Sequence, residues 1–332
     1  MKVTQKDIAE RVGSSTSLVS RVLSGQAHKI GVNPKKVEEI FRIAKEMNYI
    51  PNPSALVLKG KKTRTLGLVV YDFCDPYFSM LIGDIQAMSH LRNYSTLLVG
   101  FLDRKPNDAD LMPLYKHCVD GIIVLGTGGD LSWTDSFRDI PVARIGHVEH
   151  PNLALSVGVD EDDAMRRIFA HLKNDSGVGR AAYAARPLEA HQMRRKAVER
   201  AAQEHGVELD ECPAVADADS DFEVGVQFAE SLIARGRAKF PQAVVCATDS
   251  IATGVIKRLH ESSIAVPDDI AVTGFDDIPA AANYIPSITS FRQPTRRFAQ
   301  ECFDAMEGTV QSPTRALKGE LIIRKSSMRQ FK

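Results

Sequence analysis

The 332-residue sequence has no uninterrupted apolar run of 18 residues or more, so no membrane-spanning helix is expected. Its opening, MKVTQKDIAE, is polar from the second residue and lacks the apolar stretch of a secretory signal. A cytoplasmic protein is expected. Cysteine is scarce and odd in number: Cys74, Cys118, Cys212, Cys246 and Cys302 lie far apart, with no CxxC pair. That pattern fits reduced thiols used as small core residues rather than a disulfide framework. The phosphate loop GxxxxGK[ST] and the nucleophile elbow GxSxG are both missing. GTGGDL at 126–131 has Leu131 where a dinucleotide fingerprint needs glycine. His147 and His150 follow an expected strand and precede Pro151, so no helix face presents them together to a metal. No catalytic constellation, metal or cofactor is expected.

A net charge of zero conceals an asymmetry. Residues 1–64 hold 13 Lys and Arg against 5 Asp and Glu, and the rest of the chain carries the compensating acidic excess. A small basic head on an acidic body points to a polyanionic partner for the head. A solvated basic face with no partner is the alternative that charge alone leaves open.

The first 50 residues carry three helical patterns. In TQKDIAERVG, Thr4 is a cap with Asp7 three residues later, Ile8, Ala9 and Val12 form a stripe, and Gly13 is a stop. In SSTSLVSRVLSG, Ser15 is a cap, Leu18, Val19, Val22 and Leu23 recur at helical spacing, and Gly25 ends the run. In NPKKVEEIFRIAKEMNY, Asn33 caps, Pro34 opens the helix, and Val37, Ile40, Phe41, Ala44 and Met47 are expected inward. Two short helices across a tight turn at Gly13, braced by a third, make a helix-turn-helix pattern. The second helix of such a unit puts its N-terminal end in the DNA major groove. Small hydroxyl residues there let the backbone approach closely and bond base edges or phosphates. Thr16, Ser17 and Ser20 are therefore expected to face DNA, with Arg21 reaching out one turn later.

These residues carry a resemblance. VTQKDIAERVGSSTSLVSRVLSG followed by NYIPN resembles the DNA-binding head of the LacI/GalR bacterial transcription regulators. The turn SGQAHKIGVN departs from it, being longer than in the lactose repressor. The resemblance extends the DNA-facing set to Thr4, Ser15, Asn33, Tyr49 and Asn52. Residues 51–62 then form a hinge. Two prolines and Gly60 mark a linker, and SALVLKG is long enough for about two helical turns, too few to be stable alone. In the family the matching segment folds on DNA and a leucine wedges into the minor groove. Carried over, that leucine is Leu58, with Ala55 beside it and Lys59 towards phosphate; wedging favours flexible base steps. A plain linker packed on the body is the alternative.

From residue 63 to 332 short β-branched runs alternate with amphipathic stretches. TLGLVVY, STLLVGF, DGIIVLG and PVARIG read as buried parallel strands; RAAYAA, QAVVCAT and DIAVTGF restart the alternation. The expected fold is an all-α head followed by an α/β two-lobe core of parallel sheets flanked by helices, with ligand in the cleft outside the strands' carboxyl ends. The resemblance covers this part too, through VDGIIVLG, VGVDEDDA, AVVCATDSIATGVIKRL, VPDDIAVTGFDDIP and ITSFRQP. It implies a periplasmic-binding-protein-like core with lobe 1 at 63–162 plus 294–322 and lobe 2 at 163–293 plus 323–330.

The ligand residues it implies are Tyr77, Phe78, Asp163, Arg194, Phe222, Thr248, Asp276 and Gln293. Aromatic faces suit sugar C–H groups and the charged pair suits hydroxyls. A purine co-repressor also suits Tyr77, Phe78 and Arg194. Bland roles compete: Asp276 as a helix cap, Phe78 as core, Arg194 as a surface charge. The whole reads as a repressor whose two-fold homodimer binds a palindromic operator and answers a small effector, a carbohydrate first. No heptad tail follows LIIRKSSM, so a dimer is expected rather than a tetramer. A constitutive DNA-binding protein that uses the core only to dimerise is the competing class, and an enzyme or binding protein with an accessory head is another.

Overall fold

The computed structural model describes residues 3–50, 57, 60–100, 106–126, 130–146, 150–211, 215, 218, 220–310 and 312–328. The chain divides into two compact units, Met1–Thr63 and Arg64–Lys332.

The first unit is three helices: α1 (Gln5–Val12), α2 (Thr16–Leu23) and α3 (Pro34–Glu46), with a 3-10 turn at Ala27–Ile30 in the long connection. Each helix starts where a side chain can take an orphan backbone N–H. Thr4 and Asp7 form a reciprocal capping box on α1, Ser15 accepts from Leu18 N–H, and Asn33 accepts from Lys35 N–H. Gly13 closes α1 at φ 63°, in the left-handed region that glycine enters at little cost. Ile8, Ala9, Val12, Val19, Val22, Ile40, Ile43 and Ala44 make the core. Phe41 does not join them: it is 49% exposed, and Ile43 takes the inward place. At 100° per residue Phe41 falls beyond the edge of the stripe that Ile40 and Ala44 define. Lys61 donates from Nζ to Ser24 O at 2.8 Å and caps the end of α2.

The second unit holds two six-stranded sheets, ordered β11-β5-β4-β3-β1-β2 and β12-β10-β9-β8-β6-β7. The first contains β1 (Thr65–Val70), β2 (Ser95–Gly100), β3 (Gly121–Leu125), β4 (Val142–Ile145), β5 (Leu155–Val159) and β11 (Thr314–Leu317). The second contains β6 (Arg180–Ala184), β7 (Glu208–Leu209), β8 (Ala243–Cys246), β9 (Ala271–Asp276), β10 (Thr289–Arg292) and β12 (Glu320–Ile322). All pairings are parallel except β10 with β12. Parallel strands are covered on both faces, which explains their unbroken apolar runs. The covering helices are α4 (Pro76–Leu91), α5 (Asp108–Lys116), α6 (Glu161–Asn174), α7 (Glu189–His205), α8 (Asp221–Ala234), α9 (Asp249–Glu261), α10 (Pro279–Asn283) and α11 (Thr295–Met306).

The chain crosses between sheets three times: from β5 into α6, from β10 into α11, and from β11 to β12. The third crossing corrects the lobe boundary expected at 322. Residues 320–322 already pair with β10, so the crossing falls at 318–319. Gly319 is needed there, because a Cβ would lie 2.2 Å from the carbonyl oxygen of Arg292. The helices α8 and α9 also meet at glycines: a Cβ on Gly225 would lie 2.1 Å from Ile251 O, and one on Gly254 2.1 Å from Phe222 O. That close approach sets the first turn of α8 against α9. Among the described residues no helix is long and apolar enough to cross a membrane.

Candidate functional site

The head presents its expected contact residues unevenly. Thr16, Ser17 and Arg21 are exposed on α2, and Ser20 is half-buried one turn along. Thr4 and Ser15 spend their hydroxyls on the helix caps, and Asn33 does the same with its amide oxygen. Capping commits these three groups to the starts of α1, α2 and α3. Tyr49 is half-buried against the head core. Asn52, Ala55, Leu58 and Lys59 lie outside the described residues, as do Cys212 and His147.

In the body, the carboxyl ends of the two sheets bring together residues from both lobes. Asp75 caps α4 by accepting from Tyr77 N–H at 2.8 Å. This places the Tyr77 ring at the mouth of lobe 1, with Phe78 behind it at a centroid distance of 5.7 Å. Phe78 is core, as its bland reading held. The Tyr77 hydroxyl donates to Gln293 Oε1 at 3.0 Å, and Gln293 Nε2 donates to Asp276 Oδ1 at 2.7 Å. Gln293 sits in the second crossing, so this chain runs from lobe 1 through a connection into lobe 2.

Asp276 ends β9 at φ 101° and Asp277 follows at φ 54°. Two consecutive non-glycine residues in that region are strained, which the surroundings must hold. Asp277 is held by Arg292 at 2.7 Å and Arg324 at 2.6 Å. Asp276 is no helix cap: Ile278 N–H, at the start of α10, bonds Asp249 Oδ2 instead. Burial pushes the Asp276 carboxyl well up; Arg194 opposes, while Asp249 and Asp75 add to the rise.

Arg194 on α7 is buried, not a surface charge. Its Nε and one terminal nitrogen bond Glu161 at 2.8 Å each, the other terminal nitrogen donates to Ala247 O, and the guanidinium lies 3.5 Å over the Phe275 ring. Burial lowers its pKa, but the Glu161 charge and hydrogen bonds outweigh this and the group stays charged. Thr248 caps α9 and donates to Asp221 Oδ2 at 2.7 Å, with Arg186 at 3.7 Å from the other Asp221 oxygen. Phe222 follows Asp221 on α8 and is 39% exposed. His191, one turn before Arg194, accepts from Arg186 N–H; burial, helped by Arg194 and Arg186, pulls its pKa down to about 3. Asp163 stands apart from these contacts. It pairs with Arg167 at 2.8 Å and Lys318 at 3.5 Å and braces the crossings.

Sequence reasoning passed over Asp75, Glu161, Arg186, Asp221 and Phe275. Asp75 had a signal: it precedes Pro76, a helix-start pair, directly beside Tyr77. Glu161 had none, since its partner lies 33 residues away.

One other cluster has enzyme-like connectivity. His171 Nδ1 bonds Asp175 at 2.9 Å and Nε2 bonds Ser327 Oγ at 2.7 Å. Ser327 is fully buried, and its hydroxyl is shared with Thr289 at 2.6 Å. No substrate atom reaches it, so the cluster anchors the C-terminal segment to lobe 2.

The comparisons agree with this architecture. The family described as "Bacterial regulatory proteins, lacI family" matches residues 4–52, and a "Periplasmic binding protein-like domain" matches residues 169–327. The HTH-type transcriptional regulator AscG of Escherichia coli is 29% identical over 335 residues, covering 97% of this chain and 98% of that protein. The lac repressor dimer bound to operator and the anti-inducer ONPF superposes with a TM-score of 0.84 at 24% identity, covering 99% of this chain and all of that one. A complex of the transcriptional regulator CelR with cellobiose superposes with a TM-score of 0.67 at 25% identity, covering 98% of this chain and 100% of that one.

Proposed function

The chain belongs to the LacI family of bacterial regulatory proteins, as a DNA-binding transcriptional repressor with a small-molecule effector; on that premise, we propose that it is a carbohydrate-responsive repressor. The observation that carries the proposal is the Tyr77–Gln293–Asp276 chain beside Arg194 and Phe275. It offers an aromatic face, a carboxyl group, an amide and a guanidinium at one cleft. Such a set suits a ligand with a ring of C–H groups on one face and hydroxyls around its edge. The likeness to the CelR–cellobiose complex supports the same class.

The working unit is a homodimer on a palindromic operator, since a two-fold protein matches a two-fold site. Leu91 on α4 and Leu98 on edge strand β2 support this assembly, being 72% and 40% exposed where a second copy would cover them. Each head lays α2 in the major groove through Thr16, Ser17, Ser20 and Arg21, and each hinge brings Leu58 to the minor groove. Ligand that prefers one arrangement of the lobes changes operator affinity, and operator changes ligand affinity by the same factor. The protein acts in the cytoplasm, at the nucleoid, and performs no catalysis of its own.

Selection of fragmented genomic DNA on the purified protein, followed by sequencing, tests this reading. One enriched palindrome with a flexible central step, whose retention changes with a member of a sugar panel, is the expected result. Enrichment that no sugar alters, but a nucleobase does, replaces the effector class. Enrichment unaffected by any metabolite leaves a constitutive DNA-binding protein.

A further inference from the structure

Charge at the cleft is distributed in a way that limits what binds there. The described residues place carboxyl groups of Asp75, Glu161, Asp221 and Asp276 around the Tyr77–Gln293 contact, against the guanidinium groups of Arg186 and Arg194. Both cations are already engaged. Arg194 meets Glu161 through two bonds of 2.8 Å, the fork geometry that matches a carboxylate best, and its remaining terminal nitrogen serves Ala247 O. Arg186 stands 3.7 Å from Asp221. Arg144, the next cation, is buried on β4, donates to Gly126 O, and feels the charge of Glu189. His191 is held neutral.

Asp75 and Asp276 are then the carboxyl groups left over. Burial raises Asp75 to about 6, with Asp221 and Asp72 adding to the rise, and Asp75 in turn helps to raise Asp276. A phosphate or carboxylate entering here would either pull Arg194 from Glu161, leaving a buried carboxylate uncompensated, or oppose the ionisation of Asp75 and Asp276. Both are unfavourable. A hydroxyl donates to either carboxyl group without that penalty.

We propose that Glu161 consumes the charge of Arg194 inside the protein, so that the cleft admits neutral or ammonium-bearing polyhydroxylated ligands and rejects phosphorylated or carboxylated ones. The inference rests on the carbohydrate reading above and makes Glu161 its specificity-determining residue.

Inorganic phosphate is the probe, titrated into the full-length protein against chloride at equal ionic strength, with Tm as the readout. Wild type is expected to show no saturable shift. Glu161→Gln is expected to gain one, and Glu161→Gln combined with Arg194→Gln is expected to lose it. A saturable wild-type shift that Arg194→Gln abolishes overturns the inference. So does a folded Glu161→Gln protein that gains no binding. A wild-type shift that survives Arg194→Gln arises outside the cleft and counts with no shift. Should Glu161→Gln not fold, the wild-type and Arg194→Gln titrations decide alone. A sugar panel that leaves operator binding unchanged, while phosphate behaves as stated, sinks the carbohydrate reading and leaves the charge assignment standing.

Discussion

The Tyr77 hydroxyl meets the Gln293 side-chain oxygen at 3.0 Å across 216 residues of sequence. One residue opens the first helix of lobe 1; the other lies in a connection between lobes and bonds Asp276 in lobe 2. A ligand that inserts into this chain would contact both lobes and the connection that joins them. It therefore senses their arrangement directly, which is what a switch requires.

Asp276→Ala is expected to abolish the effector's influence on operator binding while the protein stays folded. The side chain is buried against Gln293, and it caps no helix. Thermal melting and ligand-dependent DNA release are the measurements. A variant that still releases or recruits DNA at saturating ligand removes Asp276 from the site.

Leu58→Ala should weaken operator binding by roughly tenfold or more at fixed salt, because an apolar wedge repays part of the cost of kinking DNA. The stability of residues 64–332 should not change. A gel-shift titration giving wild-type affinity would dispose of the wedge.

Gly254→Ala should destabilise lobe 2 by about 1–3 kcal/mol, the usual cost of forcing atoms into a packed contact. The added methyl would lie 2.1 Å from Phe222 O, so α8 must move away from α9. Asp221 and Phe222 move with it, and ligand affinity should fall further than stability alone accounts for. Urea unfolding and ligand titration on one sample separate the two effects.

Asp75→Asn should stabilise the protein at pH 8 by about 2–4 °C in Tm, with a benefit that shrinks towards pH 4. The sign follows from linkage. Burial raises the folded-state pKa of Asp75 from 3.8 to about 6. Its favourable contribution is full below 3.8 and lost as pH rises through 6, when a charge must be kept in the cleft. Asparagine caps a helix as well as aspartate and carries no charge. His191 works in the opposite direction: its pKa falls to about 3 in the folded state, so stability it supplies above pH 6.5 is lost on acidification. A variant whose advantage is the same at pH 4 and pH 8 would contradict the assignment to Asp75.

Thr4, Ser15 and Asn33 were legible as caps because a cap and its backbone partner lie within three residues of each other. β1, β2, β3, β4, β6, β8 and β9 were legible because they carry short, nearly continuous apolar runs, whereas β5, β7, β10, β11 and β12 were not read as strands. Phe41 was misplaced because an apolar residue at the margin of a stripe reads like one inside it. Of the proposed ligand residues, Tyr77, Arg194, Asp276 and Gln293 were suggested by the resemblance alone, and their individual chemistry was not visible in their spacing.

The sequence by itself determined the three helices of the head, seven of the strands, and that a basic head precedes two α/β lobes, since these follow from contacts a few residues apart and from periodic hydrophobicity. Only the tertiary structure decided that Glu161 holds Arg194, that Asp75 and Asp276 press on one another, and that residues 320–322 belong to the second sheet. Those relationships join residues from separate elements, and nothing in local propensity ranks one distant pairing above another until the sheets have packed.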